Sequence, residues 1–187
     1  MLGYDFVSAM RLLILGTALL PLTVLPVFWL APGLGGTTEV IKAALRLTFV
    51  IAICVTIAFI LRRRFFPNPT EATIQALDGL AALTLAIIVI GLMSAVGPVL
   101  RSDPSSLIFW LALAFALNFG AQFITYLALK SRPHAVPVSV IAGNRNIALF
   151  LVGLPASITD PVLIFIGCYQ VPMYLTPLLM RRFYAHG

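Results

Sequence analysis

The residues most able to do chemistry stand in one short stretch, Ala142-Gly143-Asn144-Arg145-Asn146-Ile147, where an arginine and two amides interrupt an otherwise apolar run. A guanidinium at the centre of a membrane helix costs at least roughly 2.5–3.5 kcal/mol on insertion scales, so it is expected to face a protein interior or a water-filled cavity. Gly143 and its asparagine neighbours are weak helix formers, and Pro137 and Pro155 bracket them, which predicts a discontinuous helix. Broken helices expose carbonyls that coordinate cations and amides that receive anions, the chemistry of many secondary transporters. A structural alternative is open beside it: Arg145 paired with an acid such as Asp78 only to hold helices together.

Weaker signals accompany this one. Asn118, Gln122 and Thr125 make a polar stripe at helical spacing, suited equally to hydrogen bonding between helices and to lining a cavity. Ala112, Ala116 and Gly120, four residues apart, predict close helix packing on another face. Thr17, Pro21, Thr23 and Pro26 combine prolines that free carbonyls with hydroxyls that can re-satisfy them, or with cation coordination by Thr17. Tyr169, Gln170 and Thr176 near Pro172 and Pro177 repeat that design and read as packing. Cys54 and Cys168 lie in apolar runs, and His134 and His186 have no partner at metal-ligand spacing. No Ser/His/Asp set, HExxH or phosphate loop is present, so neither catalysis nor a bound cofactor is expected.

The elements that must position these residues are set by composition. Of 187 residues, 61% are hydrophobic and 10% charged, against roughly 45–50% and 25% in soluble domains. Lipid is the solvent that suits such a chain. Six apolar runs separate, at 9–31, 40–61, 74–97, 106–129, 135–157 and 160–180, each long enough to span a bilayer. The expectation is an all-α polytopic membrane protein of about six transmembrane helices in one domain over 1–187, with the fifth helix broken near 141–147. Asp5 and the length of the first run argue for a helix rather than a signal peptide. Connections are expected at Pro32 to Gly36, Pro67-Asn68-Pro69, Gly97-Pro98, Asp103-Pro104 and Asp160-Pro161, the last as a cap followed by proline at the first helical position.

The net charge of +6 comes from arginines and lysines at the ends of apolar runs, so they are topology signals and not a nucleic-acid surface. Arg11, Arg62, Arg63, Arg64, Lys130, Arg132, Arg181 and Arg182 share one side, against Lys42, Arg46 and Arg101 on the other. Eight against three places both termini in the cytoplasm, with the chain in a plasma or bacterial inner membrane.

Gly143-Asn144-Arg145-Asn146, the proline-interrupted last run ending in Arg181-Arg182, and Thr17-Ala18-Leu19-Leu20-Pro21-Leu22-Thr23 together resemble the bile acid:sodium symporter family. The similarity covers the last six of that family's ten helices: residues 1–37 resemble the helix closing its first repeat, and 38–187 its second five-helix repeat. It implies an inverted-repeat symporter for a small organic anion, with Na+ as coupling ion and run five as the second crossing helix near the membrane midplane. Asn146 falls on an amide near substrate and Thr17 on a sodium-ligand hydroxyl, while Ile141, Ala142 and Asn144 fall at or beside the ion site. The family's acidic sodium ligand falls on Ile141 and its glutamine ligand on Arg145. A guanidinium there can replace a cation electrostatically and clamp a carboxylate or sulfonate bidentately, so Arg145, Asn146 and Asn144 are the expected substrate contacts. The first crossing helix would precede Met1, which implies a truncated product or a site completed by a second copy or another chain. A non-transporting subunit is the competing expectation.

Overall fold

A chain surrounded by lipid must satisfy its backbone hydrogen bonds within each segment, and helices do so wherever an apolar run is unbroken. The computed structural model describes residues 6–23, 25–26, 37–132, 134–144 and 147–185, and among these every regular element is helical. Helix α1 spans Phe6–Thr23 and contains Pro21. Helix α2 spans Thr37–Phe65, opening on a Glu39–Lys42 ion pair of 2.8 Å and closing on Arg62, Arg63 and Arg64, charges that complement the helix dipole at each end.

Helix α3 spans Glu71–Leu92, and Thr70 caps it by accepting from the Thr73 N–H at 3.2 Å. The expected connection at Gly97-Pro98 does not form. A 3-10 turn, Met93–Ala95, passes directly into α4, Val96–Ser102. Pro98 stands in the first turn of α4, where a missing N–H removes little. Asp103 and Pro104 do punctuate the chain: the Asp103 carboxylate accepts from Ser105 Oγ at 2.6 Å and from the Ser106 N–H at 3.1 Å, starting α5, Pro104–Leu129.

The fifth apolar run is divided. Helix α6, Ala135–Gly143, stops at Asn144, whose φ of −91° and ψ of 62° leave the helical region. A 3-10 turn at Ile147–Leu149 and a single turn α7, Phe150–Gly153, follow. After Pro155 come α8, Ala156–Thr159, a 3-10 turn at Asp160–Val162, α9, Leu163–Leu179, and α10, Arg181–Ala185. Asp160 and Pro161 therefore lie within a 3-10 turn and do not cap α9, which begins at Leu163 behind Val162.

Among the described residues, three stretches are long and apolar enough to cross a membrane: α2, the continuous Glu71–Ser102, and α5. Their most apolar windows are only 11%, 6% and 17% buried against the rest of the chain, and side chains such as Phe59, Leu83, Ile87 and Ile90 are exposed. Apolar surface of that extent requires lipid or another chain, so the protein is membrane-embedded. The shorter apolar helices are 11–23 within α1 and α9. The tightest packing unites α5, α6 and α9, while α1 lies against α6, α2 against α7, and α9 against the Met93–Ala95 turn.

Candidate functional site

The end of α6 is clamped where it breaks. A Cβ at Gly143 would meet the Asn118 carbonyl oxygen and Gln122 Cγ, each at 2.5 Å, so only glycine lets α6 approach α5 this closely. The small residues expected to allow close packing, Ala112, Ala116 and Gly120, do not serve it: Ala112 and Ala116 are exposed, and nothing lies within 4 Å of a Cβ at Gly120. The face of α5 turned inward is Ala114, Asn118, Gln122 and Tyr126, one residue every four.

Around Gly143 the polar groups of four helices converge. Asn118 Nδ2 donates to the Gly143 carbonyl at 2.9 Å and to Asn144 Oδ1 at 3.0 Å. Gln122 Nε2 donates to Asn118 Oδ1 at 2.7 Å and to Thr176 Oγ1 of α9 at 3.0 Å. Its Oε1 accepts from the Tyr184 hydroxyl of α10 at 3.1 Å. The Tyr169 hydroxyl gives the Gly143 carbonyl a second donor at 2.7 Å. Thr176 Oγ1 stands 3.2 Å from Asn144 Oδ1 and 2.9 Å from the Pro172 carbonyl, two acceptors for its one proton. Asn118 and Gln122 are wholly buried, and among the described residues no buried side-chain nitrogen or oxygen lacks a partner.

This pattern fixes both amides. Every hydrogen of Asn118 Nδ2 and Gln122 Nε2 is used, so a flip of Asn118 sets donor against donor and a flip of Gln122 sets acceptor against acceptor. Asn144 differs: its Oδ1 accepts from Asn118 and shares the Thr176 proton with the Pro172 carbonyl, while its Nδ2 makes no hydrogen bond among the described residues and the side chain is only half-buried. Among the described residues the break thus ends in an amide whose oxygen accepts from Asn118 and whose N–H groups meet no acceptor.

No family model, curated protein or solved structure matches the chain. The site therefore rests on its own geometry.

Of the residues expected from sequence, Asn118, Gln122 and Asn144 are in direct hydrogen-bond contact. Ile141 and Ala142 lie in the last turn of α6 and are half-buried. Thr17 is on α1, the helix packed against α6, and Pro21 deprives the Thr17 carbonyl of its usual helical donor. Arg145 and Asn146 lie outside the described residues. Asp78 is exposed on α3 and makes no ion pair among the described residues.

Three participants escaped the sequence reading. Thr176 and Tyr169 were expected only to pack, although Tyr169, Pro172 and Thr176 recur at helical spacing and so share one face of α9. Tyr184 carried no signal, because its partner Gln122 is 62 residues away in the chain.

Proposed function

We propose that the chain is a secondary transporter of the bile acid:sodium symporter type for a small organic anion, with six spans, both termini cytoplasmic, and the anion held at Asn144, Arg145 and Asn146. One observation carries this reading: an apolar segment whose helix stops at Gly143–Asn144, with the stop clamped by Asn118, Tyr169 and Thr176 while Asn144 Nδ2 makes no hydrogen bond among the described residues. An arginine and an amide follow at once in sequence. A guanidinium fork beside two amides suits a carboxylate or sulfonate. Rigid support from buried neighbours is what such a site needs to keep its geometry.

Sodium is the coupling ion in this proposal, with Thr17 and the segment from Ile141 through Ala142 to Asn144 around it. The Thr17 carbonyl left over by Pro21, on a helix packed against α6, supports that assignment. Binding of carboxylates and sulfonates to the full chain in detergent, with and without sodium, is the test. Arg145→Ala should abolish the binding, and unchanged binding in that variant rejects the assigned site. Ligand at 100 times its dissociation constant adds about 2.7 kcal/mol of stability, readily seen in thermal unfolding.

A second reading has its own support. The Asn118–Gln122–Thr176 network satisfies itself, as interhelical glue would, and α2 and Glu71–Ser102 leave their apolar faces uncovered. A non-transporting subunit that packs against another chain has both features. It predicts no stabilisation by any of those anions.

A further inference from the structure

The far end of α2 carries a second basic feature, separate from the clamped break. Phe59, Arg62, Arg63 and Phe66 are spaced by three, one and three residues and so form one stripe along the helix. Phe66 keeps the helical turn, its N–H donating to the Arg62 carbonyl at 3.0 Å. Together with Pro67 these side chains line an open cavity of about 310 Å³. Both arginines are exposed, and the ion pair found among the described residues, Lys42–Glu39, belongs to the opposite end of α2. Arg64 does not line the cavity.

The surroundings decide what fits. Between Arg46 and Arg62 the helix carries fifteen uncharged residues, about 22 Å of apolar rod, and Ile53, Ile57, Phe59 and Ile60 along it are exposed. The cavity therefore opens where the apolar surface ends, at the depth of lipid headgroups. Two guanidinium forks match phosphate oxygens. The flanking phenyl rings continue the apolar face that acyl chains cover, whereas a soluble phosphate would leave them bare. We infer that this cavity is a binding site for the phosphate of an anionic phospholipid, seated between Arg62 and Arg63 with its glycerol and acyl chains on Phe59 and Phe66. The site is independent of any transport activity.

Native mass spectrometry of the full chain in detergent, offered phosphatidylglycerol and phosphatidylcholine in equal amounts, tests it. The wild type should retain phosphatidylglycerol selectively. Arg62→Gln/Arg63→Gln should lose that adduct by roughly tenfold or more, the weight of two basic side chains at an anionic surface, while Arg64→Gln stays within about twofold of wild type, because its side chain is off the stripe. Arg62→Lys/Arg63→Lys, which preserves charge and insertion, should still weaken retention because lysine lacks the fork. Equal loss in Arg64→Gln, full retention in either double variant, or displacement of the lipid by millimolar glycerol phosphate would each overturn the assignment.

Discussion

Gln122 holds Asn118 by a 2.7 Å hydrogen bond from its Nε2 to the Asn118 Oδ1, and this contact sets which way the Asn118 amide faces at the break in α6. With Asn118 Oδ1 occupied, Asn118 Nδ2 must turn toward the Gly143 carbonyl and Asn144 Oδ1. The Asn144 oxygen is thereby fixed as an acceptor, and its nitrogen has no partner among the described residues.

Gln122→Leu should therefore be expensive for its size. It strips partners from Asn118 Oδ1, Thr176 and Tyr184 in a site with no exposure. Thr176 keeps the Pro172 carbonyl, so the group left stranded is Asn118 Oδ1. A buried polar group without its partner costs about 1–3 kcal/mol, and a loss of that size is expected, read as a lower unfolding midpoint in detergent. Gln122→Glu should also destabilise, since it replaces the donor that faces Asn118 Oδ1. A midpoint within error of wild type in both variants would show that the network does not organise the break.

Gly143→Ala against Gly120→Ala separates packing from propensity. At Gly143 the added methyl meets backbone and side chain at 2.5 Å, and α5 must move away. Overpacking of this kind costs about 1–3 kcal/mol, and it should also loosen the Asn118–Asn144 contact. At Gly120 nothing lies within 4 Å, so alanine should be neutral or stabilise α5 by up to about 1 kcal/mol. Stability measurements on the pair check the sign of each change.

Tyr184, beyond the last apolar helix, supplies an alkaline signature. Burial, with Tyr126 adding to it, pushes its hydroxyl pKa up to about 12, against about 10 for an ordinary tyrosine. The neutral form is thus favoured by folding, and the stabilisation is intact below about pH 10 and lost as pH rises toward 12. Absorbance titration of tyrosinate should show one late-titrating group that vanishes in Tyr184→Phe, together with part of the steep alkaline loss of stability.

Much of this was legible from residue types alone. The Thr70 and Asp103-Pro104 boundaries follow from side chains that accept N–H groups, and the uncharged runs of α2 and α5 follow from lipid solvation. The weakness of the helix at Gly143-Asn144 was visible for the same local reason. What could not be read was which face of α5 turns inward. On a helix apolar all round, periodicity gives no direction, and the choice falls to Asn118 and Gln122, which must find partners on α6, α9 and α10. The passage from α3 into α4 across Gly97-Pro98 was hidden because a proline in the first turn of a new helix looks, in sequence, like one that ends a helix.

Asp103 gives the acid counterpart. Its carboxylate accepts from the Ser105 hydroxyl and the Ser106 N–H, and those bonds, the Ser105 hydroxyl foremost, hold its pKa below the ordinary carboxylate value. A depressed pKa means that the folded state favours the charged form, so the cap's contribution is present above the ordinary carboxylate pKa and fades as pH falls through the lowered value. Asp103→Asn keeps a capping oxygen without a titrating group. Stability measured from neutral pH down to about pH 2 should converge between wild type and Asp103→Asn at the acid end and separate above about pH 4, with the wild type the more stable. A constant difference across that range would mean that the charge on Asp103 plays no part in starting α5.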